Sequence, residues 1–366
     1  MSKILKMNML WGGVIRRHLK ESNLVYFLRY KLMDKDYKTN LKKMKLSTLK
    51  SKSQIQEEMR RVADYWNCDP AHYVRYGLYN RNLSEVELLD YIPAYHFYNF
   101  YLEPHLVGVD RRVFDDKLQL YYLFRKYGIN TPTVLAVVKN CKLCDIVNMN
   151  ANPNLLNQLL ENGGKLFFKP VNGQGGTGIK VYKKDRDGEL DVFIAQLNSD
   201  TLYVVQEGIK QREDIAVINS SSVNTLRVIT QNINGEPHIC ACVMRVGRNG
   251  KEVDNSHQGG MSVEIDITTG AFHSTATAEH GGGIYTSHPD SKFEFDGKSV
   301  VGWDEIKSTV LSYANKFPQL KEIGWDIALA HNGVQAIELN LNFGLDHLQV
   351  ICGGMRRRLG VFPAKK

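Results

Sequence analysis

The sequence lacks long apolar runs, paired metal-binding cysteines and nucleic-acid-binding motifs. No stretch approaches the roughly 18 apolar residues of a membrane-spanning helix, and the short apolar segment Met7–Ile15 has no small-residue cleavage site. Cys141 and Cys144 form a C-x-x-C pair without a second pair, so reduced, structural cysteines are expected. Zinc-finger spacing, the aromatic ribonucleoprotein motif and a basic heptad region are missing, so nucleic acid is not an expected partner. We expect a cytoplasmic protein.

The net charge of +8 is concentrated near the N-terminus. Residues 1–60 carry 15 Lys or Arg against 5 Asp or Glu, which leaves 32 against 34 for the rest of the chain. A basic surface attracts anionic lipid, and apolar residues are interspersed with the basic ones, namely Ile4, Leu5, Leu10, Trp11 and Ile15. We predict peripheral association with the inner face of the membrane through residues 1–60. The alternative is a solvated helical face.

The length of 366 residues allows two or three domains. Residues 1–108 are predicted to form a basic, mainly helical region, because apolar residues recur at helical spacing from Leu24 to Pro104. Residues 109–366 are predicted to form one domain with three parts. These are a first subdomain, 109–205, a second subdomain, 206–350, and a basic tail, 351–366.

Most of this second region has the pattern of β-strands. A helix is predicted from Asp115 to Gly128 and another from Trp303 to Phe317. The runs with β-branched residues or period-two alternation are TVLAVV, KLFFKP, GIKVYKK, LYVVQEGI, TLRVITQNI, HICACVMRV, MSVEIDI, GWDIALA and VQAIELN. Because strands outnumber helices and are joined by NG and HNG turns, the predicted fold class is antiparallel α+β rather than a doubly wound parallel sheet.

The stretch GQGGTG has the spacing G-x-G-x-x-G, which several classes of nucleotide-binding protein share. A dinucleotide-binding loop would open a helix, but the residues that follow, IKVYKK, have the pattern of a strand. A Walker A loop is excluded because Gly178 precedes Ile179 rather than a lysine, and a protein kinase is excluded because neither H-R-D nor D-F-G occurs. The alternatives that remain are a bland hairpin turn and a hairpin that holds phosphate.

A phosphate-binding hairpin is the better explanation for four glycines in six residues. Glycines let backbone N–H groups approach phosphate oxygens without steric cost, and Lys169 on the preceding strand can place an ammonium group beside the same phosphates. The hairpin residues are Gly173, Gln174, Gly175, Gly176, Thr177 and Gly178.

A second hairpin near the C-terminus carries two carboxylates. If His331, Asn332 and Gly333 form a three-residue loop, Asp326 faces Glu338 across the strands, and Asn340 lies on the same side of the sheet. A two-residue loop would put Asp326 on the opposite face. Two carboxylates and an amide oxygen make a hard oxygen site for Mg²⁺. The alternative is an exposed polar strand face.

Together these features resemble the ATP-grasp superfamily and, within it, the sugar-transfer-associated ATP-grasp family. The resemblance extends from about Asp115 to Leu348. It rests on the ordered set FDDK, GINTP, LFFKPVNGQGGTG, VVQEGI, SVNTLRVIT, DNSHQGGM, HPDS and GWDIALAHNGVQAIELN.

The resemblance implies roles for individual residues. Lys117 and Lys169 match the two lysines that contact ATP phosphates. Gln206, Glu207 and Gly208 match the hinge that lines adenine and ribose. Arg227 and Arg245 match arginines near the γ-phosphate and the acyl-phosphate, and Asp326, Glu338 and Asn340 match the ligands of one or two Mg²⁺ ions. One position differs: ligases that glutamylate a ribosomal protein have an Asp two residues before the central arginine, where this chain has Thr225.

The implied activity is an ATP- and Mg²⁺-dependent carboxylate–amine ligase. Its carboxylate would be a uronic acid or a glycan precursor in cell-surface or capsular polysaccharide biosynthesis, and its acceptor an amino acid or another amine. Candidate bases for the amine are His257, His280 and His288 in the loop-rich stretch from Asn255 to Asp290. Two alternatives remain open: a kinase that acts on a glycan hydroxyl, and a non-catalytic nucleotide-binding regulator of a glycan assembly complex.

Overall fold

The computed structural model describes residues 50–68, 70–161, 165–173, 175–251, 259–278 and 283–363. The chain divides into two compact units. The first comprises Met1–Phe100 and Val361–Lys366, and the second comprises Tyr101–Gly360. Composition placed the boundary after residue 108 instead. The two criteria differ because composition marks the change from helices to strands, whereas contacts group the short helices after residue 100 with the second unit.

The described part of the first unit is helical. Its helices are α1 (Lys52–Trp66), α2 (Ala71–Arg75), α3 (Glu85–Leu88) and α4 (Ala94–His96), and a wide helical turn follows at Phe97–Leu102. Helix α1 begins where the Ser51 side chain accepts a hydrogen bond from the Gln54 N–H, and it ends at Asn67 in the left-handed conformation. Its apolar face buries Val62 and Trp66. The N-terminal prediction for residues 1–49 lies outside the described residues.

The second unit contains the remaining helices and the strands. The helices are α5 (Glu103–His105), α6 (Arg112–Asp115), α7 (Lys117–Lys126), α8 (Leu155–Glu161), α9 (Lys184–Asp187), α10 (Leu190–Ala195), α11 (Glu213–Ala216), α12 (Trp303–Ala314), α13 (Leu345–Cys352) and α14 (Arg356–Leu359). The strands are β1 (Val134–Lys139), β2 (Lys142–Cys144), β3 (Lys165–Pro170), β4 (Lys180–Lys183), β5 (Tyr203–Glu207), β6 (Thr225–Ile233), β7 (Glu236–Val246), β8 (Met261–Ile265), β9 (Phe272–Ala278), β10 (Ile284–Tyr285), β11 (Glu322–Ala330) and β12 (Gly333–Asn340).

Within the described residues, the strands form two antiparallel sheets. The first has the order β2-β1-β5-β3-β4 and the second the order β10-β9-β8-β7-β6-β11-β12. One face of the first sheet buries Phe168 and Val205 against Leu159 of α8 and Ile194 of α10. The other face packs against α7, whose Leu118 and Tyr121 cover a cluster that contains Val134, Val137 and Val204. The first sheet is therefore covered on both faces.

Strand β11 is buried along its whole length and separates a core face from a polar face in the second sheet. Trp325 lies in a group of aromatic rings formed by Phe124, Tyr313 and Phe317, with centroids 6.1 to 6.2 Å from its own. Asp326, the next residue, points to the opposite face because successive side chains of a strand alternate. The aromatic cluster thus supports the strand that presents Asp326.

These sheets confirm the predicted antiparallel α+β class. Helix α7 occupies the centre of the predicted helix from Asp115 to Gly128, and Asp116 caps it by accepting hydrogen bonds from the N–H groups of Leu118 and Gln119. Helix α12 begins at the predicted residue Trp303. The sequence patterns did not predict β2, β9 or β10, which are short or polar along one side.

Candidate functional site

The glycine-rich stretch is the turn between two paired strands. β3 and β4 are antiparallel, with Phe168 opposite Lys180, so the loop is a hairpin, as its flanks predicted. Gly175, Gly176 and Gly178 have φ angles of 60°, 72° and 78°, in the left-handed region that favours glycine. A side chain at Gly178 would also lie 3.0 Å from the ring of Pro170. The turn therefore depends on glycine both for conformation and for space.

A polar cleft lies in front of this hairpin, with about 1000 Å³ of space that is partly open to solvent. Among the candidate residues from the sequence, those that line it are Lys117, Lys169, Gly173, Gly175, Gly176, Thr177, Gln206, Glu207, Arg227, Arg245, Asp326, Glu338 and Asn340. Gly178 and Gly208 lie next to lining residues in the chain. The structure thus brings together groups that are up to 223 residues apart, from Lys117 to Asn340.

The second hairpin pairs Asp326 with Glu338, but not by the predicted route. Its turn contains two residues, His331 and Asn332, because Ala330 pairs with Gly333. A regular strand after such a turn would place Ile337 opposite Asp326. Instead a β-bulge at Ile337 adds one unpaired residue to β12, and the pairing of Asp326 with Glu338 follows. The three-residue loop was therefore wrong, whereas the pairing that it was used to predict is present.

Asp326 is held between two arginines on the cleft floor. Arg227 donates from Nε to Oδ1 at 2.5 Å and from Nη2 to Oδ2 at 3.1 Å, and Arg245 Nη2 lies 2.8 Å from Oδ2. Burial alone would raise the pKa of Asp326, but the charges and hydrogen bonds of both arginines outweigh it and lower the pKa below the usual value. Asp326 is therefore a fully ionised carboxylate at neutral pH.

Neutral oxygens anchor the far side of each guanidinium group. Arg227 Nη1 donates to the carbonyl of Phe343 at 2.7 Å. Arg245 donates from Nε and Nη2 to the hydroxyl of Thr225, at 3.1 and 2.9 Å. The result is a hydrogen-bonded row from Thr225 through Arg245, Asp326 and Arg227 to Phe343, which we call the arginine array.

Lys117 connects the glycine hairpin with the second hairpin. Its Nζ donates to the carbonyl of Gly173 at 2.5 Å and lies 3.2 Å from Oε1 of Glu338. Its backbone N–H also donates to the carbonyl of Val171 at 3.0 Å. Lys117 can take this position because it is the first residue of α7, next to the cap residue Asp116.

The cleft also has an apolar part. Phe167, Ile209, Val223 and Ile337 line it, and the side-chain amide of Gln206 donates to the carbonyl of Pro132 at 3.1 Å. Gly208 continues the chain from β5 and donates its N–H to the carbonyl of Lys165 at 3.2 Å. An apolar slot beside exposed backbone and polar groups suits a flat heterocycle.

The structure does not bring His288 to this cleft. The His288 ring is fully buried, with Nε2 2.8 Å from the carbonyl of Gly247 and Nδ1 accepting from the N–H groups of Asp290 and Ser291. Both ring nitrogens are therefore engaged by the backbone, which is the pattern of a structural histidine. The other candidate bases, His257 and His280, and the loop residue Gln174 lie outside the described residues.

Several cleft residues were not identified as candidates from the sequence. Thr225 was visible only as a departure from related ligases, and Phe343 contributes a backbone carbonyl, which no side-chain pattern reveals. Ile337 is the bulge residue, and the need for a bulge at this position follows from the two-residue turn, which the sequence pattern did not predict. The apolar lining residues follow ordinary strand alternation, so nothing in their sequence distinguishes them from core.

A sequence model of the family described as sugar-transfer associated ATP-grasp matches residues 108–361. The match covers more than two thirds of the chain and contains every cleft residue described above. The chain belongs to the sugar-transfer associated ATP-grasp family.

Comparison of this ATP-grasp protein with solved structures gives matches at low sequence identity. The ATP-grasp ligase PsnB, in complex with precursor peptide PsnA2 and AMPPNP, is 13% identical with a TM-score of 0.36, over 73% of this chain and 61% of PsnB. D-alanyl-alanine synthetase A from Vibrio cholerae is 12% identical with a TM-score of 0.38, over 63% and 56%. Biotin carboxylase from Campylobacter jejuni is 11% identical with a TM-score of 0.39, over 69% and 47%.

The chain spans about half the length of the solved structures it matches. No match was found among curated proteins. In the described part of this ATP-grasp chain, none of the helices has the length and apolar character needed to cross a membrane.

The second hairpin fits a hard divalent cation. In Asn340 the amide nitrogen is buried without a hydrogen-bond partner, and rotation of the amide would bring its oxygen to that place. Asp326 and Glu338 supply two carboxylates on the same pair of strands. Among the described residues, no three or more His, Cys, Asp or Glu side chains lie together so that they could hold a metal ion. The candidate for Mg²⁺ is therefore this set of two carboxylates and one amide.

Proposed function

We propose that this protein is an ATP- and Mg²⁺-dependent ligase that joins a carboxylate to an amine. The observation that carries the proposal is the convergence of the glycine hairpin, Lys117, Lys169, the arginine array and the Asp326–Glu338 pair in one cleft. Membership of the ATP-grasp family supports it. The carboxylate is proposed to belong to a sugar acid or glycan precursor, in line with the family's association with sugar transfer.

ATP would lie with its base in the slot near Phe167 and Gln206 and its phosphates under the glycine hairpin. Lys117 and Lys169 would hold phosphate oxygens, and Glu207 would hold the ribose or adenine. Asp326, Glu338 and Asn340 would hold Mg²⁺, which offsets phosphate charge when bound. These cations together would draw the negative phosphates to one end of the cleft.

The reaction would proceed in two displacements. A carboxylate oxygen of the substrate attacks the γ-phosphorus, the bond to the β-phosphate oxygen breaks, and ADP leaves. An amine nitrogen then attacks the acyl carbon, the bond from that carbon to the phosphate oxygen breaks, and inorganic phosphate leaves with the electron pair. The amine loses a proton, and the product is an amide. Arg227 and Arg245 would stabilise the transferred phosphoryl group, because fixed donors lose little energy to reorganisation.

The test is MgAMPPNP binding by titration calorimetry, followed by phosphate release across a panel of uronic acids and amino acids. We expect Mg²⁺-dependent binding and an amide product identified by mass spectrometry. Glu338→Gln and Asp326→Ala should each lower turnover at least about a hundredfold, since each removes a carboxylate charge from the metal site. Asp304→Ala is the matched control, because that carboxylate is 91% exposed on α12 and pairs only with Lys307 among the described ion pairs.

The outcomes separate the alternatives. A stable phosphorylated product without an amide would favour a kinase. Nucleotide binding without turnover in the panel, unchanged in Glu338→Gln, would favour a regulator. A protein without any Mg²⁺-dependent affinity for nucleotide would contradict the proposal and the kinase alternative together.

A further inference from the structure

Thr225 lies at the end of the arginine array, at the first residue of β6. It pairs in register with Arg245 of β7 on one side and with Ala328 of β11 on the other. Its side chain lines the cleft although only 4% of the residue is exposed. A nearly buried hydroxyl that faces a polar cleft is expected to have a defined hydrogen-bonding role.

That role is visible in the contacts of Arg245. Both Nε and Nη2 donate to the single hydroxyl oxygen of Thr225, and Nη2 also reaches Asp326. A planar guanidinium group held along one edge by an acceptor and at its corner by a carboxylate cannot rotate without losing hydrogen bonds. Ala328, the other register neighbour of Thr225, offers no polar group. Thr225 and Asp326 together define the plane of Arg245.

The other hydroxyl beside Arg245 does not share this role. Ser262 of β8 is the opposite register neighbour of Arg245, and its Oγ lies 3.0 Å from Nε2 of His347 on α13. Of the two hydroxyls next to Arg245, that of Thr225 bonds to Arg245 and that of Ser262 bonds to His347. Of the two, Thr225 is the one whose loss would remove hydrogen bonds to Arg245 that the structure shows.

We propose that Thr225 is a positioning residue for the γ-phosphoryl group, acting through Arg245. The inference rests on the proposed function, because it assigns Arg245 to the phosphate that ATP has and ADP lacks. Arg227 is oriented by Phe343 through a backbone carbonyl, which substitution cannot remove. Arg245 instead contacts the side chains of Thr225 and Asp326, so a substitution at position 225 can change its orientation.

The test compares the affinities for MgAMPPNP and MgADP, measured by titration calorimetry on the full-length protein. Thr225→Val keeps the shape and removes the acceptor. We expect it to weaken MgAMPPNP binding about tenfold, since hydrogen bonds to charged groups contribute at this level, and to change MgADP binding less than twofold. Thr225→Ser restores an acceptor and should keep the wild-type ratio of the two affinities.

Two further variants make the inference specific to Arg245. Arg245→Gln should also lower the ratio of MgAMPPNP to MgADP affinity. The double variant with Thr225→Val should have the same ratio as Arg245→Gln alone, because a positioning residue acts only through its partner. Thr277→Val on β9 is the matched control. It is the same substitution in the same register row, opposite Ser262, and should leave both affinities unchanged.

Several outcomes would overturn the inference. The first two are an unchanged ratio of MgAMPPNP to MgADP affinity in Thr225→Val and a failure of Thr225→Ser to keep the wild-type ratio. The third is equal affinity of the wild-type protein for the two nucleotides. The fourth is an equal loss of both affinities in Thr225→Val together with a lower melting temperature. The last result would identify Thr225 as a folding residue only. Failure of the proposed function is distinguishable, because it shows in other measurements, namely the absence of an amide product or of any Mg²⁺-dependent nucleotide binding by the wild-type protein.

Discussion

Lys117 contacts both hairpins that form the cleft. It bonds to the carbonyl of Gly173 and forms an ion pair with Glu338, and its side chain is 15% exposed. The ammonium group has three N–H donors, so a phosphate group could accept the third, and a cation bound to Glu338 would compete with the ion pair. Under the proposed function, nucleotide and metal binding are therefore linked through this one ammonium group.

Substitution of Lys117 should separate phosphate binding from folding. Lys117→Met keeps the aliphatic chain and removes the charge, so we expect MgAMPPNP affinity to fall about tenfold or more. Lys126→Met, on the exposed last turn of the same helix, is the control and should bind as the wild-type protein does. Calorimetry gives both values, and an unchanged affinity in Lys117→Met would exclude phosphate contact by this residue.

Residue chemistry explains how much of the site could be predicted. Lysines, arginines and carboxylates carry their chemistry in the side chain, so Lys117, Arg227 and Asp326 could be nominated from the sequence. Their partners could not, because the carbonyl of Phe343 has no side-chain signature and the hydroxyl of Thr225 resembles any strand threonine. His288 is a candidate base by its residue type and its place in a loop-rich stretch, but the structure buries it against the backbone of Gly247, and it does not line the cleft.

Among the elements, β11 and the segment after β12 are packed more closely than any sequence pattern indicates. A Cβ atom at Gly324 would lie 2.2 Å from Cβ of Phe343, so only glycine permits this contact. The carbonyl of the same Phe343 orients Arg227. The space at Gly324 therefore controls the position of one end of the arginine array.

Gly324→Ala should affect stability and nucleotide binding together. Overpacking at a buried site costs about 1–3 kcal/mol of unfolding free energy, and displacement of Phe343 should also weaken MgAMPPNP binding. Urea denaturation and calorimetry measure the two effects. Ser274→Ala, at an exposed position of β9, is the control. Full stability in Gly324→Ala would show that Phe343 can move without cost.

The antiparallel α+β class could be inferred because most strands have an alternating or β-branched pattern and NG and HNG turns join some of them. Register could not be inferred in the same way. Neither the two-residue turn at His331 nor the bulge at Ile337 has a side-chain signal, and the predicted loop was longer by one residue. The two differences cancel at Asp326, which explains why a wrong loop led to the observed pairing.

For the whole molecule, the excess positive charge lies outside the ATP-grasp match, which begins at residue 108. The cleft is built from residues 117 to 340. The predicted membrane docking and the proposed nucleotide binding thus involve separate parts of the chain, and a deletion near the N-terminus should affect only the first.

Liposome sedimentation tests this separation. Removal of residues 1–20 should reduce binding to vesicles that contain anionic lipid, because basic and apolar residues are lost together. It should leave vesicles of neutral lipid and MgAMPPNP affinity unaffected. High salt should weaken the binding of the full chain, since the attraction is screened. Equal sedimentation of the two proteins would remove the membrane prediction.

The bulge at Ile337 has a consequence for how this hairpin can evolve. Asp326 and Glu338 are twelve positions apart, and with a two-residue turn an even spacing pairs them only if one strand contains an extra residue. In relatives with one residue fewer between the two carboxylates, the pairing should persist only if the deletion removes the bulge from β12. Relatives with a three-residue turn at the same spacing should have a regular strand. The length of the turn and the presence of the bulge are therefore expected to vary together across the family.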